Sequence, residues 1–139
     1  MKKISIREYS NYNHDEIIKL YKAVGWSNYY EKPEILKSGF ENSLYVLGAY
    51  ADEGELVGII RVVGDGYSIV YIQDILVLPD YQHKKIGSNL LLNVLEKYKN
   101  VYQINLSTDN TQKTVNFYKS LGFKDYSDIN CVAFMYFGK

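Results

Sequence analysis

The sequence predicts an α+β fold: a mixed, mostly antiparallel, twisted sheet with a central strand–helix–strand crossover and helices on both faces. Three observations predict it. The first is a change of period in mid-chain. Residues 71–78 are apolar and rich in β-branched side chains, as a largely buried strand is. Pro79 and Asp80 stop that strand, because proline cannot donate to a ladder and pre-sets a turn. From there Ile86, Leu90, Leu91, Val94, Leu95 and Tyr98 recur at helical spacing. The second observation is a set of strand-like segments separated by Asp52-Glu53-Gly54-Glu55 and Gly64-Asp65-Gly66, which read as antiparallel turns. The third is a buried-type strand at 101–106, which makes residues 71–106 a right-handed parallel crossover.

The remaining elements follow in chain order. Residues 3–8 alternate Ile4 and Ile6 with polar neighbours and form a first strand. Asn11 to Asn13 cap the next segment, with Asp15 and Glu16 placed to favour a helix dipole. Ile17, Ile18, Leu20, Tyr21 and Val24 give that helix its stripe, and Gly25 ends it. Trp26, Tyr29 and Tyr30 fall in the loop that follows. Pro33 opens a short second helix through about Phe40, proline being well placed at a first helical position. Strands are expected at 43–51, 56–63 and 67–78, the last with a glycine-flanked start that leaves room for a bulge. After the strand at 101–106, a polar loop leads to a helix at 111–121 with Val115, Tyr118 and Leu121 as core candidates and Gly122 as its cap. Residues 123–126 and 130–137 are expected to pair as a last hairpin or split strand.

At 139 residues, 47% of them hydrophobic, the chain is expected to form one globular domain over 1–139. Lys+Arg and Asp+Glu are both 16, and no basic run with interleaved aromatics occurs, so no nucleic-acid partner is expected. No apolar run approaches the roughly 20 residues of a membrane span, and the first residues lack a signal peptide's apolar centre. A cytoplasmic protein without membrane contact is the expectation. Cys131 is the only cysteine; it sits beside Val132, Ala133 and Phe134 and reads as packing rather than as a nucleophile. Tyrosine is the compositional outlier, at 15 of 139 residues.

A helix that opens straight out of a turn leaves its first amides unpaired, and those donors with the dipole make an anion site. His83, Lys84 and Lys85 sit there, and Gly87 and Ser88 lack bulk that would exclude a ligand. Phosphate or pyrophosphate fits that chemistry; an ordinary basic loop before an amphipathic helix is the plainer alternative.

The stretch Val77-Leu78-Pro79-Asp80-Tyr81-Gln82-His83-Lys84-Lys85-Ile86-Gly87 resembles the acetyl-CoA signature of the GNAT N-acetyltransferase superfamily: a strand ending in Val-x-Pro, then Gln/Arg-x-x-Gly-x-Gly/Ala opening a helix. Gln82 and Gly87 match the first and last positions. Lys85 stands where the first glycine is usual, a departure that costs energy if the backbone there needs positive φ. Asn110 and Phe117-Tyr118-Lys119-Ser120-Leu121-Gly122-Phe123 are similar to the other end of the same signature. The element order is also that of the family.

The resemblance implies acetyl-CoA as acyl donor, with no metal; no Cys/His ligand cluster appears in the sequence either. It implies that Gln82, His83, Lys84, Lys85, Ile86, Gly87 and Ser88 hold the pyrophosphate. The backbone of Ile75, Leu76 and Val77 would hold the pantetheine amides, and Asn110 and Phe117 would also touch the coenzyme. Tyr118 would be the general acid for the departing thiolate; with a reference pKa of about 10, a tyrosine is protonated at neutral pH. Trp26, Tyr29 and Tyr30 would border the acceptor. A homodimer, common in the family, is a further expectation.

For the acceptor, aminolysis of a thioester needs a neutral amine, and an alkyl ammonium of pKa about 10.4 is neutral in only about one molecule in a few thousand at pH 7. Asp74 and Asp65 are the candidate bases, with cation binding or, for Asp65, a solvated turn as alternatives. Asp74 should point to the face opposite Ile75. The function expected is N-acetylation of a small-molecule primary amine by direct attack; a non-catalytic acyl-CoA-binding or sensing module is the alternative.

Overall fold

The structure is a computed structural model, and it describes residues 3–26 and 31–138. The chain packs as two compact units, Met1–Leu106 and Ser107–Lys139.

In the first unit, β1 (Ser5–Glu8) leads to α1 (His14–Ala23). The Asn13 side chain caps α1 by accepting the Glu16 amide at 3.2 Å, and Ile17, Leu20 and Tyr21 form its buried stripe. Then come α2 (Pro33–Glu41), which starts at its proline and buries Leu36 and Phe40, and β2 (Tyr45–Tyr50). A 3-10 turn at Asp52–Gly54 precedes β3 (Leu56–Gly64) and β4 (Ile69–Val77). A second 3-10 turn, Pro79–Tyr81, leads into α3 (Ile86–Lys97), and β5 (Gln103–Leu106) closes the unit. The strands lie in the order β1-β2-β3-β4-β5. The first four are antiparallel neighbours, and β5 runs parallel to β4 after the α3 crossover.

Both faces of this sheet are covered by helices, as expected. Arg61 and Asp74 are register partners on β3 and β4. Their side chains lie under α1 and α2: the Tyr21 hydroxyl of α1 donates to Asp74 Oδ2 at 2.7 Å, and Arg61 Cζ sits 5.1 Å from the Phe40 ring centroid of α2. Gly58 faces the other way, where a Cβ would lie 3.4 Å from Ile86 Cγ2 and 3.5 Å from Leu90 Cδ1 of α3. With period 2, Ile60, Ile75 and Val77 share the α3 face, while Ile59, Asp74 and Leu76 share the α1/α2 face. Covered on both sides, β3 is buried from Leu56 through Val62.

Two irregularities shape β4. Arg61 pairs with Asp74 but Val62 pairs with Ile72, so Gln73 is the extra residue of a β-bulge. The parallel ladder to β5 runs only from Ile69↔Gln103 to Ile72↔Leu106. Beyond the bulge, the strand neighbour that β4 has among the described residues is β3.

In the second unit, the Thr111 hydroxyl caps α4 (Gln112–Ser120) by accepting the Thr114 amide at 3.3 Å. Gly122, at φ +94°, ends it, with the Phe123 amide donating to the Tyr118 carbonyl at 3.1 Å. The strands expected at 123–126 and 130–137 are absent from the described residues. Tyr126–Ile129 is a 3-10 turn instead, held by a reciprocal cap. Asp125 Oδ1 accepts the Ser127 amide at 2.7 Å, and Asp128 Oδ2 accepts the Asp125 amide at 3.2 Å. Residues 131–138 carry no regular secondary structure. No helix of the described residues is long and apolar enough to cross a membrane.

Arg61 Nε and Asp74 Oδ2 are 2.9 Å apart, with side-chain exposures of 8% and 0%. Burial alone would pull the Arg61 guanidinium to lower pKa; the adjacent Asp74 charge and the Tyr21 hydroxyl outweigh it and hold the group above its ordinary value. Removing one partner of such a pair strands the other charge in the core. Arg61→Leu is expected to cost about 3–5 kcal/mol in urea unfolding, and Arg61→Leu with Asp74→Leu to regain most of it. A single variant as stable as the parent would show that the pair has no such role.

Candidate active site

The open side of β4 carries the first part of the site. The Leu78 amide donates to the Val57 carbonyl at 2.9 Å, so the backbone of Leu78 faces β3. Backbone direction alternates along a strand, and the backbone groups of Leu76 therefore also face β3, while those of Ile75 and Val77 face the open side. Gln82 Nε2 reaches the Val77 carbonyl there, at 3.1 Å. Of the three backbone contacts expected from sequence, Ile75 and Val77 are presented at the edge. Leu76 is turned into the β3 ladder, with its side chain buried.

The turn that follows is tightly built. Tyr81 is buried and its amide donates to the Leu78 carbonyl at 2.8 Å, and the Gln82 amide donates to the Pro79 carbonyl at 3.2 Å. His83 and Lys85 both take left-handed backbone conformations, at φ +66° and +62°. The position where the family signature usually has glycine thus does require positive φ, and Lys85 adopts it at a cost of about 1–2 kcal/mol. His83 was not expected to share this conformation; nothing in its residue type announces it.

The start of α3 has no side-chain cap, in contrast to α1 and α4. Asn89 is the first residue whose amide finds an intrahelical carbonyl, that of Lys85, at 3.0 Å. The amides of Ile86, Gly87 and Ser88 precede it and have no intrahelical acceptor. A Cβ at Gly87 would meet only Val77 Cγ2, at 3.9 Å, which is ordinary contact. Packing within the chain therefore does not demand glycine there, although glycine in a helix is unfavourable by about 1 kcal/mol relative to alanine. Space beside Gly87 and uncapped amides fit an anionic ligand. His83, Lys84 and Lys85 are exposed around it, so Ile75, Val77, Gln82 and the 83–88 turn come together in one place.

Asp74 does not join them. It faces α1 and α2, is 2% exposed and is committed to Arg61 and Tyr21 through Oδ2. Its Oδ1 has no hydrogen-bond partner among the described residues. The expectation of Asp74 as an accessible base is corrected to this extent: its carboxylate is buried and engaged by Arg61 and Tyr21. Arg61, its partner, was missed by sequence reading. The signal was available as one opposite charge in each of two apolar strands of a hairpin. Asp65 is a turn residue: its Oδ1 accepts the amides of Tyr67, Ser68 and Ile69 at 2.8, 2.7 and 3.1 Å. These bonds, with the Ser68 hydroxyl first among them, hold its carboxyl well below the usual range.

In the second unit, Tyr118 on α4 is buried. Its ring meets Phe117 and Phe123 edge-on, at centroid distances of 5.0 and 5.7 Å. Burial pushes its pKa above the ordinary tyrosine value, with a hydrogen bond to Thr108 pulling the other way. The phenol is therefore a proton-carrying group across the physiological range. Asn110 is exposed just before the Thr111 cap. In the first unit, Trp26 is 37% exposed, with its ring 6.1 Å from that of Tyr21; Tyr29 and Tyr30 lie outside the described residues. An open hollow of about 520 Å³ is lined by Lys19, Glu55, Tyr81 and Lys84 among others and includes neither Ile75 nor Val77.

Comparison with known proteins gives consistent results. The family model described as an acetyltransferase (GNAT) domain matches residues 42–125. An uncharacterised N-acetyltransferase of Gracilaria tenuistipitata var. liui is 30% identical over 86% of this chain, which spans 65% of that relative's length. A solved GNAT-family acetyltransferase of Streptococcus pneumoniae is 38% identical, with 99% of each chain covered and a TM-score of 0.88. An aminoglycoside N-acetyltransferase solved in complex with CoA shares the fold at 16% identity and a TM-score of 0.74, over 100% of this chain and 96% of that one. The signature at Val77–Gly87 and the mixed sheet are thus accounted for together: the chain belongs to the GNAT acetyltransferase family.

Proposed function

We propose that the protein transfers an acetyl group from acetyl-CoA to the primary amine of a small molecule, by direct attack of the amine on the thioester. The observation that carries this reading is the conjunction at the end of β4: a strand whose parallel ladder to β5 stops at Ile72, leading into a helix start without a side-chain cap. A strand edge past the end of its ladder suits amide groups in an extended ligand arm. An uncapped helix start suits its phosphates. A coenzyme with a diphosphate at one end and two amides along its arm matches both, and it would supply an activated acyl thioester.

The chain's own residues then have distinct roles. Ile75 and Val77 offer backbone donors and acceptors along the arm. The amides of Ile86, Gly87 and Ser88, with Lys84 and Lys85 nearby, neutralise the phosphates. Tyr118 holds a proton on its phenol oxygen and gives it to the leaving sulfur, while the proton shed by the attacking nitrogen passes to solvent, from which the phenolate is reprotonated. Asp74 anchors β4 rather than accepting a proton, so the amine arrives in the neutral form that solution provides. Trp26 is assigned to the acceptor side, as are Tyr29 and Tyr30, which lie outside the described residues.

Gly87→Ala separates packing from binding. The variant is expected to be no less stable than the parent in thermal unfolding, since alanine is the better helix former. It should bind acetyl-CoA at least ~10-fold more weakly by calorimetry, because the methyl occupies space kept for the ligand. Unchanged affinity would remove the helix start as the phosphate seat.

Tyr118→Phe is expected to lower kcat by about 100-fold or more with acetyl-CoA affinity unchanged. In the parent, activity should rise with pH through the neutral range as more amine is deprotonated. It should fall only above pH ~10, because burial raises Tyr118 above that ordinary value and the protonated phenol is the active form. The falling limb should vanish in Tyr118→Phe. A variant with full kcat and an unaltered profile would take Tyr118 out of the chemistry. The amine itself is sought by screening primary amines for thiol release from acetyl-CoA.

A further inference from the structure

Gln82 reaches back across the Pro79–Tyr81 turn to the strand the chain has just left. Its Nε2 donates to the Val77 carbonyl at 3.1 Å. A carbonyl only accepts, so the NH2 end of the carboxamide is the end that faces it. The backbone of the turn is closed independently of this bond. The Tyr81 amide donates to the Leu78 carbonyl at 2.8 Å, and the Gln82 amide donates to the Pro79 carbonyl at 3.2 Å. Tyr81 is buried in the turn, whereas Gln82 is exposed.

The carbonyl so engaged belongs to the edge assigned to the coenzyme arm. Val77 is the register partner of Gly58 on β3, and its own backbone groups face the other side of β4. Its side chain lies against the start of α3: a Cβ at Gly87 would be 3.9 Å from Val77 Cγ2. Val77 therefore borders both halves of the site, the strand edge and the helix start. An arm bonded along Ile75 and Val77, with its phosphates on the amides of Ile86, Gly87 and Ser88, has to pass this point. The Gln82 carboxamide already sits there, offering the same kind of N–H donor as the secondary amides of the arm.

We propose that the Gln82 side chain is a placeholder for the coenzyme arm: it holds the Val77 carbonyl in the free protein and swings out when an amide of the arm takes that carbonyl. The inference rests on the coenzyme reading above and adds to it a competitor carried by the chain itself. Hydrogen bonds are conserved in the exchange. One N–H leaves the Val77 carbonyl, another arrives, and the released carboxamide is taken up by water. In the loaded protein the coenzyme, bonded at Val77 and at the start of α3, spans the turn that Gln82 spans in the free one. A hydrogen bond of ordinary net strength keeps the carbonyl occupied in roughly five molecules of six, and apparent affinity falls in proportion to the fraction left open.

Gln82→Ala removes the placeholder, and Gln82→Asn keeps the carboxamide but shortens its reach by one methylene. Binding is measured by calorimetry and by stopped-flow mixing, with acetyl-CoA and with ADP, which has a diphosphate but no arm. Both variants are expected to bind acetyl-CoA about 6-fold more tightly than the parent. The gain should lie in the association rate constant, with dissociation unchanged, because the competitor acts only in the free protein. ADP should bind as it does to the parent. Unchanged or weaker acetyl-CoA binding in Gln82→Ala would overturn the proposal, since the carbonyl would then serve both donors or Gln82 would itself contact the arm. A gain shared by ADP would overturn it by moving the effect to the phosphate seat, and a loss of both ligands would overturn it by making Gln82 a strut of the turn. Each of these leaves acetyl-CoA binding by the parent intact. A parent that fails to bind acetyl-CoA would instead overturn the coenzyme reading, and the placeholder with it.

Discussion

The ion pair between Arg61 and Asp74 is the constraint on which the rest of the first unit depends. It sits at the last regular pairing before the bulge at Gln73, so it fixes where the register of β3 and β4 changes. A buried ion pair is a weak source of net stability, because desolvation offsets most of the attraction. Its use is specificity: a slip by one residue would turn both charges toward the α3 face, away from Tyr21. With the bulge fixed, β4 bends and its twist increases. The parallel ladder to β5 stops at Ile72↔Leu106, and the edge at Ile75 and Val77 is left open.

The turn after β4 stores the complementary half of the site as strain. Two non-glycine residues, His83 and Lys85, hold left-handed conformations within a few positions of each other. At roughly 1–2 kcal/mol each, they persist only because their surroundings determine them: the buried Tyr81 beneath, the Gln82 side chain on the Val77 carbonyl, and α3 beyond. An unstrained turn ending in a capped helix was available to this chain, which builds such caps at Asn13 and Thr111. Its absence at the start of α3, together with a glycine that packing does not need, is what supports the proposed reading of a ligand seat over an ordinary basic loop.

Much of this was legible in the sequence because it is local. The change of period after Pro79, the turn at Gly64-Asp65-Gly66 and the proline opening α2 are each determined by neighbouring residues, and each was found. Helices on both faces followed from the crossover rule. The pairing of Arg61 with Asp74 was not legible, because it depends on register across a hairpin, and the position of the bulge adds a shift that no local signal gives. The backbone orientation that selects Ile75 and Val77 over Leu76 depends on the same register. The buried placement of Asp74 follows from it too, which is why an aspartate beside the site read as a base from sequence.

The C-terminal segment shows a different limit. Alternating apolar residues state that a segment is suited to a strand and how many of its faces are covered. They do not state which sheet completes it, because the hydrogen bonds of a strand are made with a neighbour that periodicity never names. Reading 130–137 as the partner of 123–126 assumed the neighbour. The second unit shows a 3-10 turn at Tyr126–Ile129 and no such pair among its described residues, while the apolar pattern of the segment is unchanged. The two ends of β4 differ in the same way: its ladder to β5 names a strand neighbour from Ile69 to Ile72, whereas past Ile72 the strand runs into a helix start without a side-chain cap, with His83, Lys84 and Lys85 around it, chemistry suited to an anion.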